Sequence, residues 1–372
     1  MRILYFTRDY NTHDHRFLKT LAEYDHEIGF LSLERGDIQL EKRPIPDSVK
    51  KIHWAGGLPN PGWVDFPRLL ISLRKVLREF KPDLVQAGPV QRAAFLTALS
   101  GFHPLVTMSW GYDLLVDVHK GPAWEWATRY TLKHSDSFVG DCKVIRDLAE
   151  NYGMEPDRIV TFPWGANIDR FSPVNNKSQT NLRKRLGWDN GNFVLLSNRG
   201  WSEIYGVVDL ANAFVAAVKQ KPGLRLLMLG SGPLAKKIDN IFSTAGVSEY
   251  VNFPGQVSQD ELVEYYQSAD LYISTSHSDG TSISLLEALS SGTPVLVTDI
   301  PGNKEWISNS TEVGWLFQDG NVQELVQGIL QAYDNCQKLP GMGIAARKLA
   351  VNKANWLVNF PTLFKAYQIA MS

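Results

Sequence analysis

Two acidic residues frame a segment whose composition suits phosphate binding. Asp279 opens the segment and Glu287 lies eight positions later, inside a helix predicted over 284–291. The start of a helix offers unpaired backbone N–H groups and the positive end of the helix dipole, and both attract a phosphate. Carboxylates on either side of such a phosphate could hydrogen-bond sugar hydroxyls, although an N-capped helix with a surface Asp is the competing interpretation. The residues of this predicted seat are Gly280, Thr281, Ser282, Ile283 and Ser284.

The elements that must position this segment follow a repeated pattern. Short apolar runs alternate with helical periodicity, which indicates βα units around mostly parallel sheets and an α/β fold. A first series has strands predicted over 2–7, 28–33, 84–87, 105–109 and 137–140, with helices over 15–24 and 69–80. A second series has strands over 193–198, 225–229, 251–253, 271–274 and 294–298, with helices over 207–218, 259–268 and 284–291. Two consecutive Rossmann-like halves are therefore predicted, joined by a polar linker over 175–180.

Charge composition excludes several functional classes. The 372 residues include 38 Lys and Arg against 39 Asp and Glu, which gives a net charge of −1. A protein that wraps nucleic acid needs an excess of positive charge, so no nucleic-acid partner is expected. The balance also argues against an acidic disordered tail.

Cysteine usage and hydropathy bear on the compartment. Cys142 and Cys336 lie far apart in sequence, which predicts a reducing compartment and two buried thiols. The start of the chain becomes charged too soon for a signal peptide. The longest stretch without charged residues, 93–112, contains glycine, proline and several hydroxyls and does not read as a membrane span. A cytoplasmic protein is expected.

The acidic segment resembles the Glu-x7-Glu region of family 4 retaining glycosyltransferases (group 1) with the GT-B fold. In that family the first acid binds the donor sugar and the second holds the nucleotide ribose. The resemblance implies these roles for Asp279 and Glu287, with Asp279 one methylene shorter than the usual Glu. It also implies a GT-B architecture: an acceptor domain over 1–172 and a donor domain over 173–354 facing it across a cleft. A helix over 355–372 would cross back to the first domain.

Further segments resemble the same family in the same order along the chain. The segment 163–173 is similar to the one that closes the N-terminal domain, and 299–305 takes the place of a D-x-G-G-x-x-E element. Arg199 follows a predicted strand where the family has an arginine on the donor diphosphate, and its fork of donors suits that contact. The remaining donor-binding residues implied by the resemblance are Gly230, Ser231 and Gly232 behind the nucleotide, and Gly255 and Val257 at the base.

The chain departs from the family pattern at three places. Tyr205 stands where the family has a second cation, a lysine. The segment 7–16 replaces a Gly-Gly phosphate loop, and Trp110 precedes Gly111 where many relatives have a histidine. Trp110 can stack on a sugar but cannot transfer a proton. Candidate acceptor or phosphate contacts in these and neighbouring segments are Arg8, His13, Arg16, Trp110, Asp113 and Lys304, of which Lys304 or Arg8 could supply the missing cation.

A metal or an organic cofactor is not expected. The sequence contains no Asp-x-Asp, and the i,i+2 spacing of His13 and His15 is poor ligand geometry at a loop-to-helix junction. The nucleotide sugar would act as substrate. Peripheral membrane contact at the inner face stays open, because basic residues surround the helix predicted over 69–80. They could touch anionic lipid or form an ordinary solvated face.

The resemblance implies a hexosyltransferase that moves a sugar from a nucleotide sugar to an acceptor with retention and without a metal. UDP is the commonest donor nucleotide in the family, and the acceptor could be a sugar, a lipid-linked sugar or a small molecule. Two alternatives stay open: a related GT-B epimerase or sugar-phosphate synthase, and a non-catalytic binding partner of another transferase. A NAD-dependent dehydrogenase is disfavoured, because no strand is followed by Gly-x-Gly-x-x-Gly with a distal acid.

Overall fold

A computed structural model describes residues 1–34, 43–59, 61–174, 180–188, 191–307 and 312–372. The chain divides into two units, one of residues 1–162 with 361–372 and the other of residues 163–360. The linker predicted over 175–180 lies outside the described residues except for Thr180, whose hydroxyl caps the helix that follows it.

The first unit is built on a seven-stranded parallel sheet with the strand order β3-β2-β1-β4-β5-β6-β7. Helices cover both faces of such a sheet, so its strands are continuous apolar runs; residues 3–6 of the first strand are almost completely buried. The strands are β1 (Arg2–Thr7), β2 (Glu27–Ser32), β3 (Val49–Lys51), β4 (Leu84–Ala87), β5 (Leu105–Met108), β6 (Ser137–Gly140) and β7 (Ile159–Thr161).

The helices of the first unit begin and end at recognisable signals. The first helix begins at Thr12 because Asn11 and Asp14 form a capping box, which moves its start three residues ahead of the predicted one. The second ends at Phe80, because the next residue, Lys81, adopts a left-handed conformation before Pro82. The helices are α1 (Thr12–Leu21), α2 (Phe66–Phe80), α3 (Phe95–Ser100), α4 (Tyr112–Leu115), α5 (Pro122–Lys133) and α6 (Lys143–Asn151).

The second unit repeats this plan with six parallel strands in the order β10-β9-β8-β11-β12-β13. Alternate residues of the central strands enter two separate apolar layers: Leu195 joins the layer of Phe214, and Val194 joins that of Tyr266. The strands are β8 (Phe193–Ser197), β9 (Leu224–Leu229), β10 (Val251–Gly255), β11 (Leu271–Ser274), β12 (Val295–Thr298) and β13 (Gly314–Phe317). The α/β prediction with two parallel sheets is confirmed.

Nine helices among the described residues of the second unit surround this sheet. They are α7 (Asn181–Arg185), α8 (Val207–Val218), α9 (Ala235–Ala245), α10 (Gln259–Ser268), α11 (Ile283–Ser290), α12 (Pro301–Lys304), α13 (Val322–Asp334), α14 (Leu339–Lys353) and α15 (Trp356–Asn359). Cys336 lies in the turn between α13 and α14, where its thiol is exposed, so the prediction of two buried thiols is wrong for Cys336 and correct for Cys142. Neither cysteine forms a disulfide.

The last helix, α16 (Leu363–Met371), belongs to the first unit. Ser137 Oγ donates to the Ala366 carbonyl oxygen over 2.9 Å, and the Tyr367 hydroxyl donates to the Gln86 side chain, so α16 is tied to β6 and β4. Leu363, Ala366 and Tyr367 are all buried. The end of the chain is therefore a structural part of the unit that contains its beginning.

Over the described ranges, no helix combines the length and the hydropathy that a transmembrane span requires.

Replacement of Tyr367 by Ala should destabilise the first unit. The substitution removes a buried ring and leaves the Gln86 side chain without its partner, which should lower the free energy of unfolding by roughly 3–5 kcal/mol. Urea denaturation measures the change, with Lys365→Ala on the exposed side of the same helix as control. Equal stability of the two variants would contradict the importance of this packing.

Candidate functional site

The strand order of the second unit brings two distant segments together. The order reverses between β8 and β11, which are hydrogen-bonded neighbours, and ligands of open α/β sheets bind outside the carboxyl ends of the strands at such a point. Arg199 follows β8, and Asp279 lies on the loop between β11 and α11. The candidate site is therefore set up by sheet topology.

The Arg199 guanidinium binds the three polar side chains around the start of α11. Its Nη1 donates to Ser282 Oγ over 2.9 Å and to Ser284 Oγ over 3.0 Å. Its Nη2 donates to Asp279 Oδ2 over 2.6 Å, and only 13% of the Arg199 side chain is exposed. Four residues predicted from sequence as donor-binding or catalytic thus form one hydrogen-bonded cluster.

The charges of this cluster are coupled. Burial opposes the charged form of Arg199, but the Asp279 carboxylate and the neighbouring tyrosines together outweigh burial and raise the pKa of the guanidinium, which stays cationic. Burial also raises the pKa of the Asp279 carboxyl above its ordinary value, and Arg199 opposes this shift. The Arg199 guanidinium therefore stays cationic beside the first turn of α11, where it is paired with the Asp279 carboxylate.

The approach of α12 shapes the loop before α11. A Cβ on Gly302 would lie 2.1 Å from the Gly280 carbonyl oxygen, so only glycine allows this contact. Thr281 and Ser282 are buried, and Ser282 occupies the N-cap position of α11 without a capping bond from its hydroxyl. The Ser282 hydroxyl instead accepts from Arg199, which ties the helix start to the guanidinium.

A buried tyrosine holds Glu287. The Tyr266 hydroxyl lies 3.0 Å from both Glu287 Oε2 and the Ser284 carbonyl oxygen, and it accepts from Asn198 Nδ2 over 2.8 Å. Burial raises the pKa of Tyr266 well above its ordinary value, so the hydroxyl remains a donor. Sequence reasoning missed Tyr266, because it lies within the buried stripe of the amphipathic helix α10, where a core position is the ordinary interpretation.

The glycine turn after β9 packs against the loop that carries Arg199. Gly230 has a φ of 105°, and a Cβ there would lie 2.7 Å from the Arg199 carbonyl oxygen. A Cβ on Gly232 would lie 2.4 Å from the Trp201 carbonyl oxygen, and the Trp201 N–H donates to the Ser231 carbonyl oxygen over 3.0 Å. The close approach of the two backbones explains both glycines.

Two further donor-binding candidates, Gly255 and Val257, and the candidate phosphate contact Lys304 lie on neighbouring elements of the second unit. The Gly255 carbonyl oxygen accepts from the Gly230 N–H over 2.8 Å at the end of β10, and Val257 packs against the apolar layer of Tyr266. Lys304 Nζ pairs with Asp299 Oδ1 over 2.8 Å at the end of α12.

In the first unit, candidate residues follow β1 and β5. Arg8 forms an ion pair with the nearly buried Glu34, so its positive charge is already compensated. The rings of His13, on α1, and Trp110, after β5, lie 5.6 Å apart, and Phe17 packs edge-on against Trp110. The structure thus brings His13 and Trp110 together; Arg16 lies half-buried on α1.

Asp113 holds two loops together and is not accessible. Its carboxylate accepts from the Val90 N–H over 2.9 Å, from Ser109 Oγ over 2.5 Å and from the Leu114 N–H over 3.1 Å. Its side chain is fully buried, and burial raises the pKa of Asp113 to about 6. In this structure the carboxylate supports the loops after β4 and β5 and does not face solvent.

Within the described part of the chain, no group of three or more His, Cys, Asp or Glu side chains is arranged to hold a metal ion. Around α1, the buried Asp14 accepts from the Tyr5 hydroxyl over 3.0 Å, while His15 Nδ1 lies 2.7 Å from the Tyr10 hydroxyl.

Replacement of Tyr266 by Phe should loosen Glu287. The lost hydroxyl removes one hydrogen bond to the half-buried Asn198 amide and one to the buried Glu287 carboxylate, which should cost about 1–3 kcal/mol of unfolding free energy. Thermal or urea unfolding measures the loss, with the neighbouring Tyr265→Phe as control. Wild-type stability of Tyr266→Phe would show that these hydrogen bonds do not hold the glutamate.

Comparison with known sequences places both halves in one enzyme group. The family described as "Glycosyl transferases group 1" matches residues 178–349, and "Glycosyltransferase Family 4" matches residues 11–170. The chain is 27% identical over 187 residues to the alpha-monoglucosyldiacylglycerol synthase of Streptococcus pneumoniae, covering 50% of this chain and 42% of that protein. It is 26% identical over 240 residues to the D-inositol 3-phosphate glycosyltransferase of Corynebacterium aurimucosum, covering 63% of this chain and 56% of that protein. The chain thus spans about half the length of the curated relatives it matches.

Solved structures share the fold along the whole chain. The Anabaena protein Alr3699/HepE, solved in complex with UDP and glucose, superposes with a TM-score of 0.80 at 19% identity over 99% of both chains. At this identity the likeness concerns the fold, which is GT-B. With both halves matched in chain order and the fold shared throughout, this chain belongs to the family 4, group 1 glycosyltransferases.

Proposed function

We propose that the protein transfers a hexosyl group from a nucleoside diphosphate sugar to an acceptor hydroxyl with retention of anomeric configuration. The observation that carries the proposal is the Arg199 cluster: a buried guanidinium beside the start of α11, between Asp279 and two serine hydroxyls. A buried cation beside a helix N-terminus suits an anionic ligand such as a diphosphate.

The reaction needs charge stabilisation at the leaving group. The bond between the anomeric carbon and the β-phosphate oxygen breaks, and its electron pair passes to that oxygen. The acceptor oxygen bonds to the anomeric carbon on the same face, and its proton goes to the departing phosphate. Arg199 and the dipole of α11 stabilise the charge that develops on the diphosphate. A metal ion is not required for this role, and the sequence contains no Asp-x-Asp that would hold one.

In this proposal Glu287 and Asp279 bind different parts of the donor. The Glu287 carboxylate is buried and held by Tyr266, which suits a fixed acceptor for the ribose hydroxyls. Asp279 contacts the sugar from the other side of the diphosphate. UDP is the proposed nucleotide, and support comes from the Anabaena protein, whose structures contain UDP and UDP-glucose.

The acceptor site is proposed in the first unit, on the loops after β1 and β5. His13 and Trp110 present adjacent rings there, and an aromatic ring is a suitable platform for a sugar face. A sugar-phosphate synthase and a non-catalytic donor-binding partner would use the same donor site. Product analysis separates them: a new glycosidic bond to a non-phosphorylated acceptor supports the transferase, and binding without turnover supports the partner.

A cytoplasmic protein that contacts the inner face of a membrane is a second, compatible proposal. On α2 and the turn before it, Ile71 is 69% and Val64 is 90% exposed. Apolar side chains among basic ones are typical of surfaces that lie on anionic lipid. The relative from Streptococcus pneumoniae is named for a diacylglycerol product, which fits an acceptor presented at a membrane. The basic residues of this surface are Arg68, Arg74, Lys75, Arg78 and Lys81.

Replacement of Glu287 by Ala should abolish nucleotide binding. In the wild type, UDP at about 100 times its dissociation constant should add ~2.7 kcal/mol of stability, visible as a rise in melting temperature. The rise should vanish in Glu287→Ala and persist in Glu249→Gln, a change on the exposed surface of the same unit. An unchanged UDP affinity in Glu287→Ala would refute the donor-site assignment.

Replacement of Ile71 by Glu should weaken binding to anionic vesicles. Loss of the isoleucine side chain that would enter the lipid, together with the added negative charge, should lower the partition coefficient about tenfold or more. Flotation with phosphatidylglycerol vesicles measures this, and neutral vesicles show how much the basic residues contribute. Ile344→Glu is the matched control, since Ile344 is 74% exposed on α14 in the other unit. Equal binding of both variants, or none by the wild type, would rule out this surface.

A further inference from the structure

Tyr205 lies against the face of the Arg199 guanidinium. The centre of its ring is 4.3 Å from the guanidinium carbon, which is the geometry of a cation–π contact. The edges of the same guanidinium are bound by Asp279, Ser282 and Ser284. Arg199 is therefore held both in its plane and on its face.

The backbone around Tyr205 is fixed independently of Arg199. The Tyr205 carbonyl oxygen accepts from Thr275 Oγ1 over 2.9 Å, and its N–H donates to the Ser202 carbonyl oxygen over 3.1 Å. Gly206 follows with a φ of 58°, and a Cβ there would lie 2.1 Å from the Thr275 carbonyl oxygen. Because the turn is packed this closely on the loop after β11, the ring of Tyr205 is presented to Arg199 from a rigid support.

The chemistry of this position differs from that of a second cation. A lysine would add positive charge for a diphosphate, but it would also repel Arg199 at close range. A neutral aromatic ring adds no charge and attracts the guanidinium. The contact limits the rotamers of a long side chain that would otherwise lose conformational freedom when the ligand binds.

We infer that Tyr205 is a positioning residue: its ring holds the Arg199 side chain in the orientation that binds the diphosphate. This fixed orientation takes the place of the second cation that the family has at this position. The inference rests on the proposed function, because it requires that Arg199 bind the donor. It assigns Tyr205 no contact with substrate; the residue acts through Arg199 alone.

A substitution series at Tyr205 tests the inference. UDP affinity by titration calorimetry, and kcat and KM once an acceptor is known, are measured for Tyr205→Phe, Tyr205→Leu and Tyr205→Lys. Tyr205→Phe keeps the ring and should bind UDP within about twofold of the wild type. Tyr205→Leu should lose about tenfold, since a cation–π contact between desolvated groups is worth about that factor. Tyr205→Lys should lose at least as much, despite its added positive charge.

The control is a tyrosine with the same kind of contact elsewhere. Tyr250 lies 5.0 Å from the Arg225 guanidinium carbon in the same unit, so Tyr250→Leu removes a similar stacking pair away from Arg199. It should leave UDP affinity unchanged, and melting temperatures identify any variant that fails to fold. If Tyr205→Leu does not fold, the comparison of Tyr205→Phe with Tyr205→Lys decides.

The possible outcomes distinguish a wrong inference about Tyr205 from a wrong proposed function. Tighter UDP binding by Tyr205→Lys would mean that position 205 is simply a vacated cation site, and the inference would be wrong while the donor site stands. Unchanged binding by Tyr205→Leu would overturn the inference in the same way. Failure of the wild type to bind any nucleoside diphosphate or nucleotide sugar would overturn the proposed function and the inference with it.

Discussion

The pairing of β8 with β11 is the constraint on which the candidate site depends. These strands are hydrogen-bonded through Leu195 with Leu271 and Leu196 with Tyr272, although some 75 residues separate them in sequence. Because both run in the same direction, the loops at their carboxyl ends meet at one edge of the sheet. Arg199 and Asp279 lie on these loops, so a single parallel pairing brings the cation to the acidic loop. A different strand order would separate them.

The second constraint is the cost of burying charge. A guanidinium that is only slightly exposed must find partners for its donors, and Arg199 finds a carboxylate and two hydroxyls on its edges and an aromatic ring on its face. The same principle operates at Glu287, where the Tyr266 hydroxyl donates to the carboxylate. Both charged groups are therefore held in place before any ligand binds. In the proposed reaction, side chains that are already in place need less reorganisation as negative charge develops on the diphosphate.

The first unit uses buried acidic side chains for a different purpose. Asp113 binds the Val90 N–H and Ser109 and thereby joins the loops after β4 and β5, while Asp14 caps α1 and accepts from Tyr5. These carboxylates lie next to exposed or half-buried candidates such as His13 and Trp110, but they support the loops on which those side chains stand. A sequence does not show which side chains of a loop support its backbone and which face outward.

The sequence by itself determined ten of the thirteen described strands, the two-sheet plan and the family, but not β3, β7 or β13. Strands buried on both faces are continuous apolar runs, which is why β1, β8 and β11 agree with their predicted bounds to within about a residue, and the family motifs are local segments. The α1 boundary was missed by three residues, because its capping box outweighed the apolar periodicity. Only the tertiary structure decided which polar groups meet: Arg199 with Asp279 and Tyr205, Tyr266 with Glu287, Asp113 inside a core. Such contacts join residues on different loops, and their existence follows from strand order and side-chain burial, two properties that no local pattern encodes.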